Sequence, residues 1–378
     1  MSLGTLALIG LCGLCGPLLS AAARGSIPVV VGEIFAGVIV GRTGFHIIDT
    51  ANPTLLFLTD VGFAMLMFGA GMDVPLGAPR VLGSLDRGVR AAAAVGVLAI
   101  GAGVLVSLIG GTGHPAVYAV LIGSGSAAIV LPVIQERRLE GEAVLMVIAQ
   151  VTVADVAATV AIPFVLRPAQ AGRVAGGTVL IAICLFAIFA VARSVSGGVV
   201  HALRRQGKRR RWAIDLRVAL IVLFGLAWIA ERTGASLLIA GFGAGLMVAA
   251  IGGPKRLSTE VLGIGGGFFV PLFFVVLGAR IDLRALGTDP AIIGLAVALT
   301  VLTAAVHVIG ARLTGQRPAT GLLASAQLGV PAAIVALGLT EHVITAAQGA
   351  AIVAASMMSL AVCSVGAVRL APQPEPVR

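Results

Sequence analysis

The sequence predicts an all-α polytopic membrane protein of about thirteen transmembrane helices, arranged as two inverted-topology repeats that each carry one broken helix. Three observations predict it. The 378 residues are 58% hydrophobic and 11% charged, with a mean hydropathy of +1.08, whereas soluble domains carry about 25% charged residues. Apolar segments recur along the whole chain at lengths that suit a bilayer. Lys and Arg crowd into alternate connecting loops, the signature of positive-inside topology.

The apolar segments run roughly 3–22, 27–41, 53–71, 90–109, 115–134, 142–166, 174–198, 215–231, 234–251, 259–281, 291–313, 320–339 and 344–367. The first lacks a basic start and continues directly into the following pattern, which argues against a cleaved signal peptide. The second and eighth are short, so twelve is the alternative count. With the N-terminus outside, the inside loops hold 19 of the 26 Lys and Arg residues and the outside loops hold 6. The C-terminus is then cytoplasmic, the expected location is the cell membrane of a bacterium, and only the short tail APQPEPVR is expected after the last span.

The net charge of +10 belongs to this topology and does not indicate nucleic-acid binding. The basic run GKRRRWAIDLR (207–217) is expected to touch anionic lipid, with a regulatory site as the alternative. Abundant Gly, 51 residues, suits close helix contact in lipid. Cys12 and Cys15 form a CxxC in an apolar helix with no further ligand nearby, so they read as small packing residues, as do Cys184 and Cys363.

The fifth segment carries LIGSGSAAIVLPVIQ (121–135) and the twelfth LLASAQLGVPAAIVALG (322–338). Both interrupt an apolar helix with Ser, Gly and Pro, including Gly125, Pro132, Gly329 and Pro331. They hold the fifth place in two six-helix units, segments 1–6 and 8–13, and the seventh segment between them inverts the second unit. Paired interruptions of this kind point to a secondary-transporter site. Backbone groups freed by a break are tolerated at membrane depth only beside protein or a water-filled cavity.

Asp155 lies near mid-depth of the sixth segment. A carboxylate there costs about 2.5–3.5 kcal/mol on insertion scales and usually handles a proton or a cation. In a hydrated cavity the same group can hold either a proton or a small cation, but not both, which is enough for exchange. The alternative is a structural carboxylate bonded to a neighbouring hydroxyl. Thr152 lies three residues earlier and shares its helix face. With Ser124 and Ser126 it would offer the oxygen ligands that suit a hard alkali cation at Asp155, or these residues serve only close packing. His307, also near mid-span, is either a titrating group or a neutral packed histidine. Glu33 and Asp60 read as structural groups near an interface or a helix contact. Together with Gln327 and Arg280 they form the secondary candidates.

These stretches together resemble the monovalent cation:proton antiporter superfamily, particularly its bacterial Kef/Nap-like branch. IPVVVGEIFAGVIVGRTGF (27–45) is similar to that family's P-x-x-x-G-E-I-x-A-G signature, and FLTDVGFAMLMFGAGMDV (57–74) to its third helix. GSGSAAIVLPVIQE is similar to its first broken helix, and FFVPLFFVVLGARIDLRAL to its P-[LI]-F-F motif. The resemblance implies the Na+/H+ antiporter fold, in which the two broken helices cross beside the carboxylate. It implies a homodimer whose dimerisation domain comprises residues 1–86 and 201–284. A mobile core comprises 87–167 and 285–368, with 168–200 as linker helix and 369–378 as tail. Electrogenic members pair two aspartates in the sixth helix and carry a lysine in the eleventh. Here Ala154 precedes Asp155 and His307 stands in the lysine's place. Loss of both partners together is coherent, because a lone buried ammonium is expensive.

The expected function is exchange of Na+ or K+ for H+ by alternating access, electroneutral, with no cofactor and no transition metal. The alternatives are a sodium-coupled organic-anion symporter on a similar fold and a non-transporting membrane sensor or scaffold. No metal-ligand cluster, nucleophile elbow or phosphate loop suggests an enzyme.

Overall fold

The computed structural model describes residues 1–22, 29–72, 85–194, 213–251, 260–261, 263–281, 284 and 289–370. The basic run up to residue 212, Arg24, Arg80, Lys255, Arg256 and the tail after Leu370 lie outside the described residues. Among the described residues the chain is helical, with no strand. The helices are α1 (Leu3–Ala22), α2 (Val29–Val40), α3 (Pro53–Met72), α4 (Leu85–Gly110), α5 (Pro115–Gly123), α6 (Ala127–Glu136), α7 (Glu142–Leu166) and α8 (Ala171–Ser194). They continue with α9 (Ile214–Thr233), α10 (Leu237–Ile251), α11 (Val270–Arg280), α12 (Pro290–Leu313), α13 (Pro318–Ala324), α14 (Gly329–Thr340) and α15 (Ala346–Leu370). A π-helical stretch, Gly265–Phe269, leads into α11.

Each predicted apolar segment contains at least one helix. Among the described residues, length alone yields fewer full spans than thirteen: seven helices are long and apolar enough, or eight if the bent pair α13–α14 counts as one. A hydropathy window reads through the short helices α2 and α10 and through the two broken pairs as though each were one continuous span.

The chain divides into two compact units, Met1–Gly77 with Pro168–Ile281, and Ala78–Arg167 with Asp282–Arg378. In the first, α2 packs between α1 and α11, and α3 packs along α10. These contacts are backbone-close. A Cβ built on Gly37 would lie 2.0 Å from the Val275 carbonyl oxygen, and one on Gly278 would lie 2.1 Å from that of Ile34. Small residues let helices approach in lipid, where packing rather than hydrophobicity drives association. Around this seam Leu55, Leu272, Val275 and Val276 are fully buried, and Phe63 stacks on Phe273 with centroids 5.3 Å apart.

In the second unit α4 lies along α5, α7 and α12, while α15 covers α12 and α13. Its core joins Val130, Val147 and Val151 to Leu323, Ala324 and Cys363. Helix α7 is held at both ends: Glu142 pairs with Arg87 of α4, and Arg167 pairs with Glu341, just beyond α14. The first pair is exposed, whereas the side chains of the second retain only 25% and 24% of their exposure. A double-mutant cycle on Arg167→Ala and Glu341→Ala, read by thermal unfolding in detergent, is expected to give a coupling of about 1 kcal/mol.

The breaks share one local chemistry. Residues 124–126 separate α5 from α6, and residues 325–328 separate α13 from α14, where the axis bends by 43°. Ser124 Oγ donates to the Leu121 carbonyl at 2.8 Å, and Ser325 Oγ donates to the Leu322 carbonyl at 2.8 Å. Hydroxyls that satisfy carbonyls three residues back compete with helix continuation. The prolines expected to make the breaks lie past them, Pro132 inside α6 and Pro331 in the first turn of α14, while Gly329 begins α14. A first-turn proline sacrifices no intrahelical bond, so Pro331 fits a helix start and does not interrupt one.

Candidate functional site

The second unit gathers most of the candidate residues around its two breaks. Asp155 sits midway along α7 and is partly exposed. The backbone N–H of Ala127, the first residue of α6, faces its carboxylate and interacts favourably with the charged form. Four free N–H groups and the helix dipole make such a terminus favourable to negative charge. The first break abuts α7 directly, since a Cβ on Gly125 would lie 3.2 Å from Val151 and 3.3 Å from the Ala324 carbonyl oxygen. Ser124 and Ser126 are buried. Thr152 Oγ1 donates to the Ile148 carbonyl at 2.7 Å, which leaves its oxygen lone pairs available to another partner.

His307 is buried on α12, with Nδ1 2.9 Å from the Thr303 carbonyl oxygen. A carbonyl only accepts, so Nδ1 carries the proton in that bond. The ring also lies against the backbone of Ser124. Gln327, in the second break, sends Nε2 to the carbonyl oxygens of Leu121 and Ser124 at 2.6 and 3.3 Å. Opposite ends of the two half-helices α5 and α6 thus meet different partners. The amide end of α6 meets Asp155, and the carbonyl end of α5 meets Gln327 and His307.

The other candidates lie in the first unit. Glu33 is buried on α2, beside Gly16 of α1. Asp60 on α3 interacts electrostatically with Glu231 of α9 and Arg280 of α11. Asp60 and Glu231 line a cleft of about 460 Å³, together with Phe57, Phe224, Trp228 and Phe269. Asp60 and Arg280 therefore share one cluster, to which neither Glu33 nor Asp155 contributes.

Four participants escaped the sequence. Glu231 stands beside Arg232 at a helix end and reads there as an interfacial charge. Ser356 and Ser359 hold the backbone of Gln327, and their spacing of three on an apolar helix was the available signal. Gln150 on α7 is buried, and its Oε1 has no hydrogen-bond partner among the described residues. Among the described residues no three His, Cys, Asp or Glu side chains form a group that could hold a metal ion.

Comparison with known proteins adds the lineage of this arrangement. The family model described as "Sodium/hydrogen exchanger, transmembrane" matches residues 7–370. The chain is 26% identical to the candidate Na(+)/H(+) antiporter YjbQ of Bacillus subtilis (strain 168), over 77% of this chain and 50% of that protein. It is 26% identical to the glutathione-regulated potassium-efflux system protein KefC of Enterobacter sp. (strain 638), over 74% of this chain and 45% of that one. It spans about half the length of these curated relatives. The solved structure of the sodium proton antiporter MjNhaP1 from Methanocaldococcus jannaschii at pH 8 superposes with a TM-score of 0.63 at 16% identity, covering 98% of this chain and 99% of that one.

Proposed function

The chain belongs to the sodium/hydrogen exchanger family, and from that membership and the surroundings of Asp155 we propose that it is a secondary active antiporter exchanging a monovalent cation, Na+ or K+, for H+. The observation that carries this reading is a single carboxylate at mid-span, set against the amide end of a broken helix. Protonated, Asp155 is neutral. Deprotonated, it balances one monovalent cation, with oxygens of Thr152, Ser124 and Ser126 completing the shell. Either load leaves the site with the same net charge, so exchange is one for one and electroneutral. Ala154 supports this, because no second carboxylate adds a charge.

In this reading the core of residues 87–167 and 285–368 carries Asp155 through alternating access, and the dimerisation domain of residues 1–86 and 201–284 joins two copies in a homodimer. The protein lies in the cell membrane with its N-terminus outside and its C-terminus cytoplasmic, as the Lys and Arg bias supports. Reconstitution with a pH dye, a panel of Na+, Li+ and K+, and a clamped membrane potential tests the assignment. Cation-driven proton movement whose rate is independent of the clamp is expected. A rate that scales with potential would exclude the one-for-one stoichiometry, and a flat proton trace with every cation would exclude antiport.

A further inference from the structure

Gln327 is placed by bonds from two directions. Its backbone carbonyl accepts from Ser356 Oγ at 2.7 Å, and its N–H donates to Ser359 Oγ at 3.1 Å. Ser359 Oγ in turn donates to the Ser356 carbonyl at 2.6 Å, so the two hydroxyls form one anchored pair on α15. The side chain is 97% removed from solvent, at 3% relative exposure, and spends both amide hydrogens on the far break, at Leu121 and Ser124. These carbonyls end α5, and three residues later the Ala127 N–H faces Asp155. A continuous run of contacts therefore leads from α15 through Gln327 to the segment beside the carboxylate.

An amide suits this place physically. It supplies two donors to carbonyls that the break has freed, and it adds no charge that would compete with the carboxylate. It also does not titrate, so it holds the break in one geometry whichever load the site carries. A lysine there would bring its own desolvation cost, and an apolar residue would withdraw one donor from each carbonyl, leaving Leu121 to Ser124 Oγ and loosening the tie between the two breaks.

We propose that Gln327 is the positioning residue of the cation site: it fixes the Ser124–Ser126 break so that the serine oxygens and the amide end of α6 stay set against Asp155. This rests on the antiport function proposed above. The test compares the wild-type chain with Gln327→Met, which keeps the length of the side chain and removes both donors. In proteoliposomes the cation concentration for half-maximal exchange is expected to rise by about tenfold, with the maximal rate per folded transporter changing far less. A merely structural role would lower the amount of active protein and leave half-saturation where it is. Deuterium uptake over residues 121–130 is expected to quicken in the same variant, whether or not cation is present.

Ser356→Ala, which removes one anchor and leaves the side chain of Gln327 intact, is expected to shift both readings in the same direction by a smaller factor. It decides the question if Gln327→Met is not recovered folded. Wild-type half-saturation together with wild-type deuterium uptake in the folded variant overturns the proposal while antiport by the wild type stands. A wild type that moves no protons under any cation refutes the antiport function itself, and with it the role of Gln327 at a cation site.

Discussion

Asp155→Asn is expected to abolish cation-driven proton movement in proteoliposomes, with a loss of at least about 10²-fold, the lower end of what a positioned proton-transfer group contributes. The substitution is nearly isosteric. It keeps a polar group facing the Ala127 N–H but can neither release a proton nor balance a cation. The folded protein is expected to survive, and insertion is expected to improve, because an amide at mid-span avoids the roughly 2.5–3.5 kcal/mol that a charge costs there. Loss of transport with unchanged or raised thermal stability in detergent is therefore the combined outcome. Unimpaired exchange in this variant would sink the assignment of Asp155.

The second large effect lies far from the carboxylate. Gly278→Ala is expected to destabilise the first unit by about 1–3 kcal/mol, the usual range for overpacking, and toward its upper end because the obstacle is backbone. The added methyl would sit 2.1 Å from the Ile34 carbonyl oxygen. Gly37→Ala is the reciprocal case, 2.0 Å from the Val275 carbonyl oxygen. Gly69→Ala on α3 is the control, since nothing lies within 4 Å of its added methyl. It is expected to be neutral or to gain up to about 1 kcal/mol from helix propensity. Thermal unfolding of the three variants in one detergent checks the ordering. Equal stability at Gly278 and Gly69 would show that α2 and α11 are less closely packed than described.

Much of this architecture was legible in the chain, for physical reasons that can be named. Hydropathy marks a segment that must face lipid, so the helices were visible, but it does not mark where a helix stops inside an apolar run. That is why α5 and α6 read as one span. The breaks were visible as Ser, Gly and Pro, yet the hydroxyl bonds of Ser124 and Ser325 place them upstream of the prolines. Asp155 stood out because a charge in an apolar segment has no cheap explanation. Gln327 did not stand out in the same way, because its partners are Leu121 and Ser124, two hundred residues away, and Ser356 and Ser359 on another helix. A polar residue announces its cost locally, but its partner is fixed only by the tertiary fold. The cluster of Asp60, Glu231 and Arg280 was hidden for the same reason.

The two ion pairs at the ends of α7 also have a mechanical meaning. The helix behaves as a rod fastened at both tips, by Arg87 at one and Glu341 at the other. An axial slip of one residue would carry each tip about 1.5 Å, enough to pull a bonded pair out of range. The depth of Asp155 is thereby a property of its whole unit, not of α7 alone. The two fastenings respond differently to salt, because the pair at Glu142 is exposed and the pair at Arg167 is largely shielded. At high ionic strength the rod loosens first at its Glu142 tip and stays fixed at the other, which turns a clamped beam into a cantilever.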